Sequence, residues 1–219
     1  MPVKAVIFDA YGTLLRNEDM LRIPRCIVAD HALSAPVADV FDAWIDLYSE
    51  AIQRPTFRAL RAIQGDVLRQ LLRRFDVDGD ASRYVELFFE VTTTVELYPD
   101  AREVLSALGP VRSAIVSNAD HEHVAAWNFA VPVEFILVSE AVRAYKPHPA
   151  VFRSALERLG LQPDDVLHVG DSLVDDVAGA KAAGLRVAWI NRDGRARRAG
   201  VPAPDFEIRD LRELTPLLS

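Results

Sequence analysis

The chain has 219 residues, 50% of them hydrophobic, and a formal net charge of −7. That supplies one sizeable core, or a core plus a smaller lobe. The mild acidity and the lack of a long basic block argue against nucleic acid, no apolar run reaches the ~18 residues of a spanning helix, and a lone cysteine, Cys26, excludes an internal disulfide or a cysteine-held structural metal. The first residues carry no secretory cleavage signature, so the expectation is a soluble, cytoplasmic protein with no membrane or nucleic-acid partner.

Residues 3–8 are, apart from Lys4, apolar and mostly β-branched or aromatic, and predict a short buried strand. Asp9 follows where that strand should end, and Gly12-Thr13 turns the chain. From about Glu18 to Val91 the period becomes helical. Residues 20–33 predict one helix. After Pro36, the residues Val37, Val40, Phe41, Trp44, Ile45 and Tyr48 predict a second. Leu60, Ile63, Val67, Leu68, Leu71 and Leu72 mark a third within 57–75, and 81–91 gives a fourth. The Asp76-Val-Asp-Gly-Asp80 run between them lacks the length and final Glu of a calcium loop and reads as a connection.

Beyond Tyr98 the pattern alternates. Helices are predicted at 101–108, 121–126, 151–159, 176–183 and 211–214. Strands are predicted at 111–116, 135–138, 166–169, 187–190 and, as an edge, 206–208. Short apolar strands alternating with helices predict a Rossmann-like α/β fold: a mostly parallel sheet with helices on both faces, plus an all-helical cap. The domain reading is 1–15 and 94–219 for the α/β core and 16–93 for the cap.

In a parallel sheet, ligands bind at the carboxyl ends of the strands. Asp9, Ser117 with Asn118, and Asp171 with Asp175 and Asp176 all follow strands, and Lys146 stands in the loop before the 151–159 helix. One shared site accounts for all of them. Carboxylates crowded at one rim repel, and a hard cation such as Mg2+, which takes a few carboxylates plus waters and phosphate oxygens, relieves that. Lys146 adds fixed positive charge. Backbone N–H groups after Asp9 and Ser117 suit an anion. Asp9 is the best nucleophile candidate, because the turn at Gly12 wraps its neighbours around the incoming group.

These residues resemble the haloacid dehalogenase superfamily of aspartyl-nucleophile hydrolases. Phe8-Asp9-Ala10-Tyr11-Gly12-Thr13-Leu14 is similar to its first motif and Ser117-Asn118 to its second. Tyr145-Lys146-Pro147 is similar to the third, and Val169-Gly170-Asp171-Ser172-Leu173-Val174-Asp175-Asp176 to the fourth. Order and spacing agree over nearly the whole chain, and the helical stretch after the first motif resembles the family's cap. The resemblance implies attack by Asp9 to form a covalent intermediate that water then hydrolyses. In the phosphatase branch it implies Mg2+ held by Asp9, the backbone carbonyl of Tyr11 and Asp171, with Asp175 or Asp176 orienting the metal or its waters. Ser117 would bind the transferring group and Lys146 would neutralise charge. Thr13 would support the loop, and Tyr11, Gly12 and Asn118 would face a small anionic organic substrate. The cap would close over the rim, and the protein would be a monomer or homodimer.

Tyr11 departs from the phosphatase pattern. Most phosphatases of the family carry there a second Asp, a general acid/base worth ~10²–10⁴-fold. Asp-Ala-Tyr-Gly-Thr-Leu instead resembles the 2-haloacid dehalogenase branch, whose halide leaving group needs no proton. Against that branch, its Ser-Ser-Asn before the Asp of the fourth motif is missing, its halide-binding Arg after a cap Trp is Ile45 here, and its later Tyr is Phe152. Mg2+-dependent hydrolysis of a small phosphate monoester is therefore the first expectation. Metal-independent (S)-2-haloacid hydrolysis through an aspartyl ester and a weakly catalytic ligand-binding protein stay open. Elsewhere the plain accounts lead: His168 as a buried or locally bonded strand residue, His121 as a surface residue, His148 as loop packing, Trp44, Phe88 and Phe89 as cap core, and 192–198 as a solvated basic loop.

Overall fold

In the computed structural model, which describes residues 3–16, 18–197 and 199–218, the chain forms two compact units. One gathers the described parts of 1–16, 96–119 and 128–219, the other those of 17–95 and 120–127. The strands are β1 (Ala5–Phe8), β2 (Arg112–Ser117), β3 (Ile136–Val138), β4 (Val166–Gly170), β5 (Arg186–Ile190) and β6 (Phe206–Ile208). The α-helices are α1 (Arg22–Asp30), α2 (Val37–Ile52), α3 (Leu60–Arg74), α4 (Ser82–Thr93), α5 (Pro99–Ala107), α6 (His121–Ala125), α7 (Ser139–Val142), α8 (Pro149–Leu159) and α9 (Gly179–Ala182).

All six strands belong to the first unit, in the order β3-β2-β1-β4-β5-β6, and each pairing among the described residues is parallel. β1 lies at the centre, with Ile7 opposite Ala114 of β2 and His168 of β4. Its four residues are buried on both faces, which is why they read as a continuous apolar run rather than an alternating one. The chain order reverses between β1 and β4, and such a switch point opens a crevice beyond the strand ends. Phe152, Ala155 and Leu159 of α8 pack on Ile7, Val166 and Trp189 in the core of this unit. α8 starts at Pro149 behind a His148 cap, whose Nδ1 accepts from Ala150 N at 3.2 Å, and stops at Gly160 with φ of 65°. Both ends follow from the chemistry of those residues: Pro suits the first turn, and Gly takes the left-handed stop.

The second unit is helical. α3 buries Leu60, Ile63, Gln64, Val67, Leu68, Leu71 and Leu72, a stripe at three- and four-residue spacing. Gln64 enters that stripe because its Oε1 accepts from buried Trp44 Nε1 at 3.0 Å. Trp44 in turn meets Phe88 edge to face, at 6.1 Å between centroids. Asp120 Oδ2 accepts from Leu60 N at 2.7 Å, so a residue distant in sequence caps the start of α3. α6 therefore packs with the helical unit, and His123 is buried beside Phe89 with centroids 4.9 Å apart.

The single helix expected over 176–183 is a wide π-type turn at Leu173–Ala178 running into α9. Ser172 Oγ accepts from Asp175 N at 3.1 Å and starts that turn early. Four-residue α7 was not foreseen, since a single turn leaves no periodic signal.

Candidate active site

The first unit brings together Asp9, Lys146, Asp171 and Asp176 at the carboxyl ends of its central strands. The ladder runs one residue past β1: Asp9 N donates to Val169 O at 2.8 Å, which fixes the Asp9 backbone against β4. The chain then folds back through Leu14 N and Leu15 N, both bonded to Ala10 O, and Gly12 N, bonded to Leu15 O at 2.7 Å. Gly12 is required twice over. Its φ is +86°, and a Cβ there would stand 2.7 Å from the Asp171 carboxylate. Gly170 is required for the neighbouring acid, since a Cβ would lie 2.2 Å from the Asp176 carboxyl carbon.

Lys146 is the electrostatic centre. Its side chain is buried, and Nζ donates to Asp9 Oδ1 and Asp176 Oδ1, each at 2.6 Å. Burial opposes its charge, but Asp176 and Asp9 outweigh burial and hold the ammonium above the usual lysine range. Asn118 mounts the lysine: its Oδ1 accepts from Lys146 N at 2.7 Å and its Nδ2 donates to Lys146 O at 3.0 Å. Ser139 Oγ donates to the same Oδ1 at 2.9 Å. The sequence reading put Asn118 against the substrate. In the structure its amide holds the lysine's main chain, and the rim residue has become a support.

Asp176 accepts three hydrogen bonds. Oδ1 takes Lys146 Nζ and His168 Nε2 (2.9 Å), and Oδ2 takes Ser172 N (3.0 Å). A carboxylate only accepts, so His168 carries its proton on Nε2. Burial opposes ionisation of Asp176, and Lys146 and His168 outweigh it, holding the carboxyl below the usual range. Burial pushes Asp9 up against the pull of Lys146. Burial, with Asp9 and Asp176 beside it, pushes Asp171 up to about 8. Asp171 keeps 24% of its side chain exposed, so solvent screens part of that push. Its charge partner is Arg195, with Nη2 at 3.5 Å from Oδ2 and at 3.0 Å from the Asp171 carbonyl.

Carboxylate oxygens of Asp9, Asp171 and Asp176 all lie within 4.8 Å of one another. The set is all hard oxygen, with no thiolate and no imidazole in it. That donor chemistry fits Mg2+. Asp175 stands outside this group: its N–H is tied to Ser172 Oγ, and burial together with Asp176 pushes its carboxyl up to about 7. Tyr11 is half-buried and bridges to Leu15. Ser117 Oγ and Thr13 Oγ1 are buried and have no hydrogen-bond partner among the described residues. An orphaned buried hydroxyl costs about 1–3 kcal/mol. Ser117 ends β2 and Thr13 lies in the turn after β1, and an anion's oxygens would satisfy both.

Two residues of the Trp189-Ile-Asn-Arg192 segment, which resembles the 2-haloacid dehalogenase branch, support the site in ways that local sequence does not assign. Arg192 Nη1 donates to Asp100 Oδ2 and Nη2 to the Thr13 carbonyl, each at 2.8 Å, while its guanidinium lies 3.9 Å from the Tyr98 ring centroid. It ties the nucleophile loop to α5. Trp189 Nε1 donates to the Asp171 carbonyl at 2.9 Å. Their signal was position: both lie at the carboxyl end of β5, on the same rim as the acids.

A family profile described as "haloacid dehalogenase-like hydrolase" matches residues 3–184. The N-acylneuraminate-9-phosphatase of Mus musculus is 31% identical over 99% of this chain and 94% of that protein. The (S)-2-haloacid dehalogenase of Xanthobacter autotrophicus is 28% identical over 96% of this chain and 85% of its own length. Among solved structures, an L-2-haloacid dehalogenase from Xanthobacter autotrophicus superposes with a TM-score of 0.80 at 24% identity, covering 99% of this chain and 98% of that one. No helix among the described residues is long and apolar enough to cross a membrane.

Proposed function

The chain belongs to the haloacid dehalogenase-like hydrolases, and we propose that within them it is a Mg2+-dependent phosphatase of a small phosphate monoester. The observation that carries this reading is the convergence of Asp9, Asp171 and Asp176 oxygens within 4.8 Å, beside a lysine already bonded to two of them. One ammonium between Asp9 and Asp176 leaves the three acids in net negative excess, and a divalent cation offsets it. Asp9, Asp171 and Asp176 would hold that cation, the Tyr11 carbonyl would add a further oxygen, and Asp175 would act from behind. When bound, the ion supplies charge neutralisation and polarises a phosphoryl oxygen.

The chain's own residues do the rest. Asp9 attacks phosphorus through the oxygen that Lys146 does not bond. An O–P bond forms, the bond to the leaving oxygen breaks, and the leaving oxygen takes its proton from water. Lys146 holds the nucleophile and offsets charge on the phosphoryl oxygens. Ser117 and Thr13 hydroxyls, with N–H groups of the first loop, take up those oxygens. Water then adds to phosphorus, the Asp9–phosphorus ester breaks, and inorganic phosphate leaves. Tyr11 and Gly12 shape the rim around a small anionic substrate, and Asn118 holds the main chain of Lys146 beside it. A whole-length resemblance to an N-acylneuraminate-9-phosphatase supports this class.

One observation favours a second reading. Tyr11 occupies the place of a general acid, and a 2-haloacid needs none, since Asp9 would displace halide and water would cleave the resulting ester. A panel of phosphate monoesters and L-2-haloacids, each assayed with Mg2+ and with chelator, separates the two. The phosphatase reading expects phosphate release only with Mg2+, and none from Asp9→Asn. Halide release in chelator would overturn it in favour of the second.

A further inference from the structure

The basic stretch after β5 has a role that its sequence did not disclose. Asn191 is buried, and its amide clamps the main chain of Arg195 from both sides. Asn191 Oδ1 accepts from Arg195 N at 2.7 Å, and Nδ2 donates to the Arg195 carbonyl at 2.9 Å. A further bond from Nδ2 to Glu207 Oε1, at 2.7 Å, ties this clamp to β6. The backbone of Arg195 is thus fixed, while its side chain is 51% exposed and reaches Asp171.

The two side-chain cations paired with the acidic triad differ in how they are held. Lys146 is buried between Asp9 and Asp176, with short bonds to both, and cannot leave without stranding two buried carboxylates. Arg195 meets Asp171 Oδ2 at only 3.5 Å, in partial contact with solvent. Its firmer bond goes to the Asp171 carbonyl, at 3.0 Å, and that bond does not depend on the carboxylate's charge. A cation held by the triad would compete with Arg195 for the Asp171 carboxylate, and the guanidinium would keep its bond to the carbonyl at the rim.

We propose that Arg195 is an exchangeable counter-ion of Asp171, neutralising that carboxylate until a divalent cation replaces it, and thereby setting the cation affinity of the site. This rests on the reading of the acidic triad as a Mg2+ site. An exposed pair of this kind contributes about 0.2–1 kcal/mol, so its removal should tighten cation binding by about 1.4- to 5-fold.

The test is calorimetric titration of Mg2+ into wild type, Arg195→Gln and Arg195→Lys, at one low ionic strength, with no substrate present. Arg195→Gln should bind Mg2+ about 1.4- to 5-fold more tightly than wild type. Arg195→Lys, which keeps the charge, should stay near the wild-type value. If Arg195 serves only to shape the loop, Arg195→Gln binds equally or more weakly, and the inference fails while the Mg2+ site stands. A gain of the same size in Arg195→Lys also overturns it, because charge would not be the cause. If neither wild type nor Arg195→Gln binds Mg2+, the Mg2+ site itself is overturned, and the inference with it.

Discussion

Asp171 and Asp176 leave the same strand on the same loop and end in opposite situations. Asp176 is 1% exposed and receives Lys146, His168 and the Ser172 N–H. Those donors keep it ionised in spite of burial. Asp171 has a quarter of its surface in solvent and one loosely held cation, and its carboxyl is pushed up to about 8. The difference separates two jobs that a row of aspartates conceals. Asp176 is an anchor whose charge is built into the fold. Asp171 is a candidate ligand at the solvent edge, with Arg195 as its loosely held partner.

The comparison breaks most severely at Lys146. Lys146→Met strands Asp9 and Asp176 together, and should cost about 3–5 kcal/mol in a denaturant titration, if the variant folds at all. Next is the pair of glycines. Gly170→Ala drives a methyl into the fixed Asp176 carboxyl and should cost more than the 1–3 kcal/mol typical of overpacking. Gly12→Ala meets Asp171, a quarter exposed and with room to turn, but also puts a side chain on a φ of +86°, so about 1–3 kcal/mol is expected in the same titration. His168→Phe removes one of three donors to Asp176 and should cost about 1–3 kcal/mol, with His168→Gln recovering part of it. Smallest is Asp171→Asn, expected within about 0.5 kcal/mol of wild type in the absence of cation, because its charge is not needed for folding. The same variant should lose measurable Mg2+ binding by calorimetry.

The first unit was readable because its strands are short apolar runs, each ended by a polar residue, and parallel sheets enforce that pattern. The order of Asp9, Ser117, Lys146 and Asp171 along the chain carried the site with it. The choice between Asp175 and Asp176 was not readable. The two are adjacent on one wide turn, so their side chains leave it in different directions. Which one turns inward depends on Lys146 and His168, which reach it from other elements. The hydrogen bonds of Asn118 and Arg195 are unreadable from sequence for a similar reason. Their roles lie in hydrogen bonds to residues distant in sequence, and no local periodicity encodes such partners. In the helical unit the periodic stripes gave the helices, but the cap that Asp120 places on Leu60 N joins segments 60 residues apart.

The most direct test of the proposed chemistry is mass spectrometry of the Asp9 peptide from enzyme quenched in acid during turnover of a phosphate monoester with Mg2+. The account predicts one phosphoryl group on that peptide, absent when chelator replaces Mg2+ and absent in Asp9→Asn. An unmodified Asp9 peptide throughout, with Asp9→Asn still releasing phosphate at the wild-type rate, would contradict it.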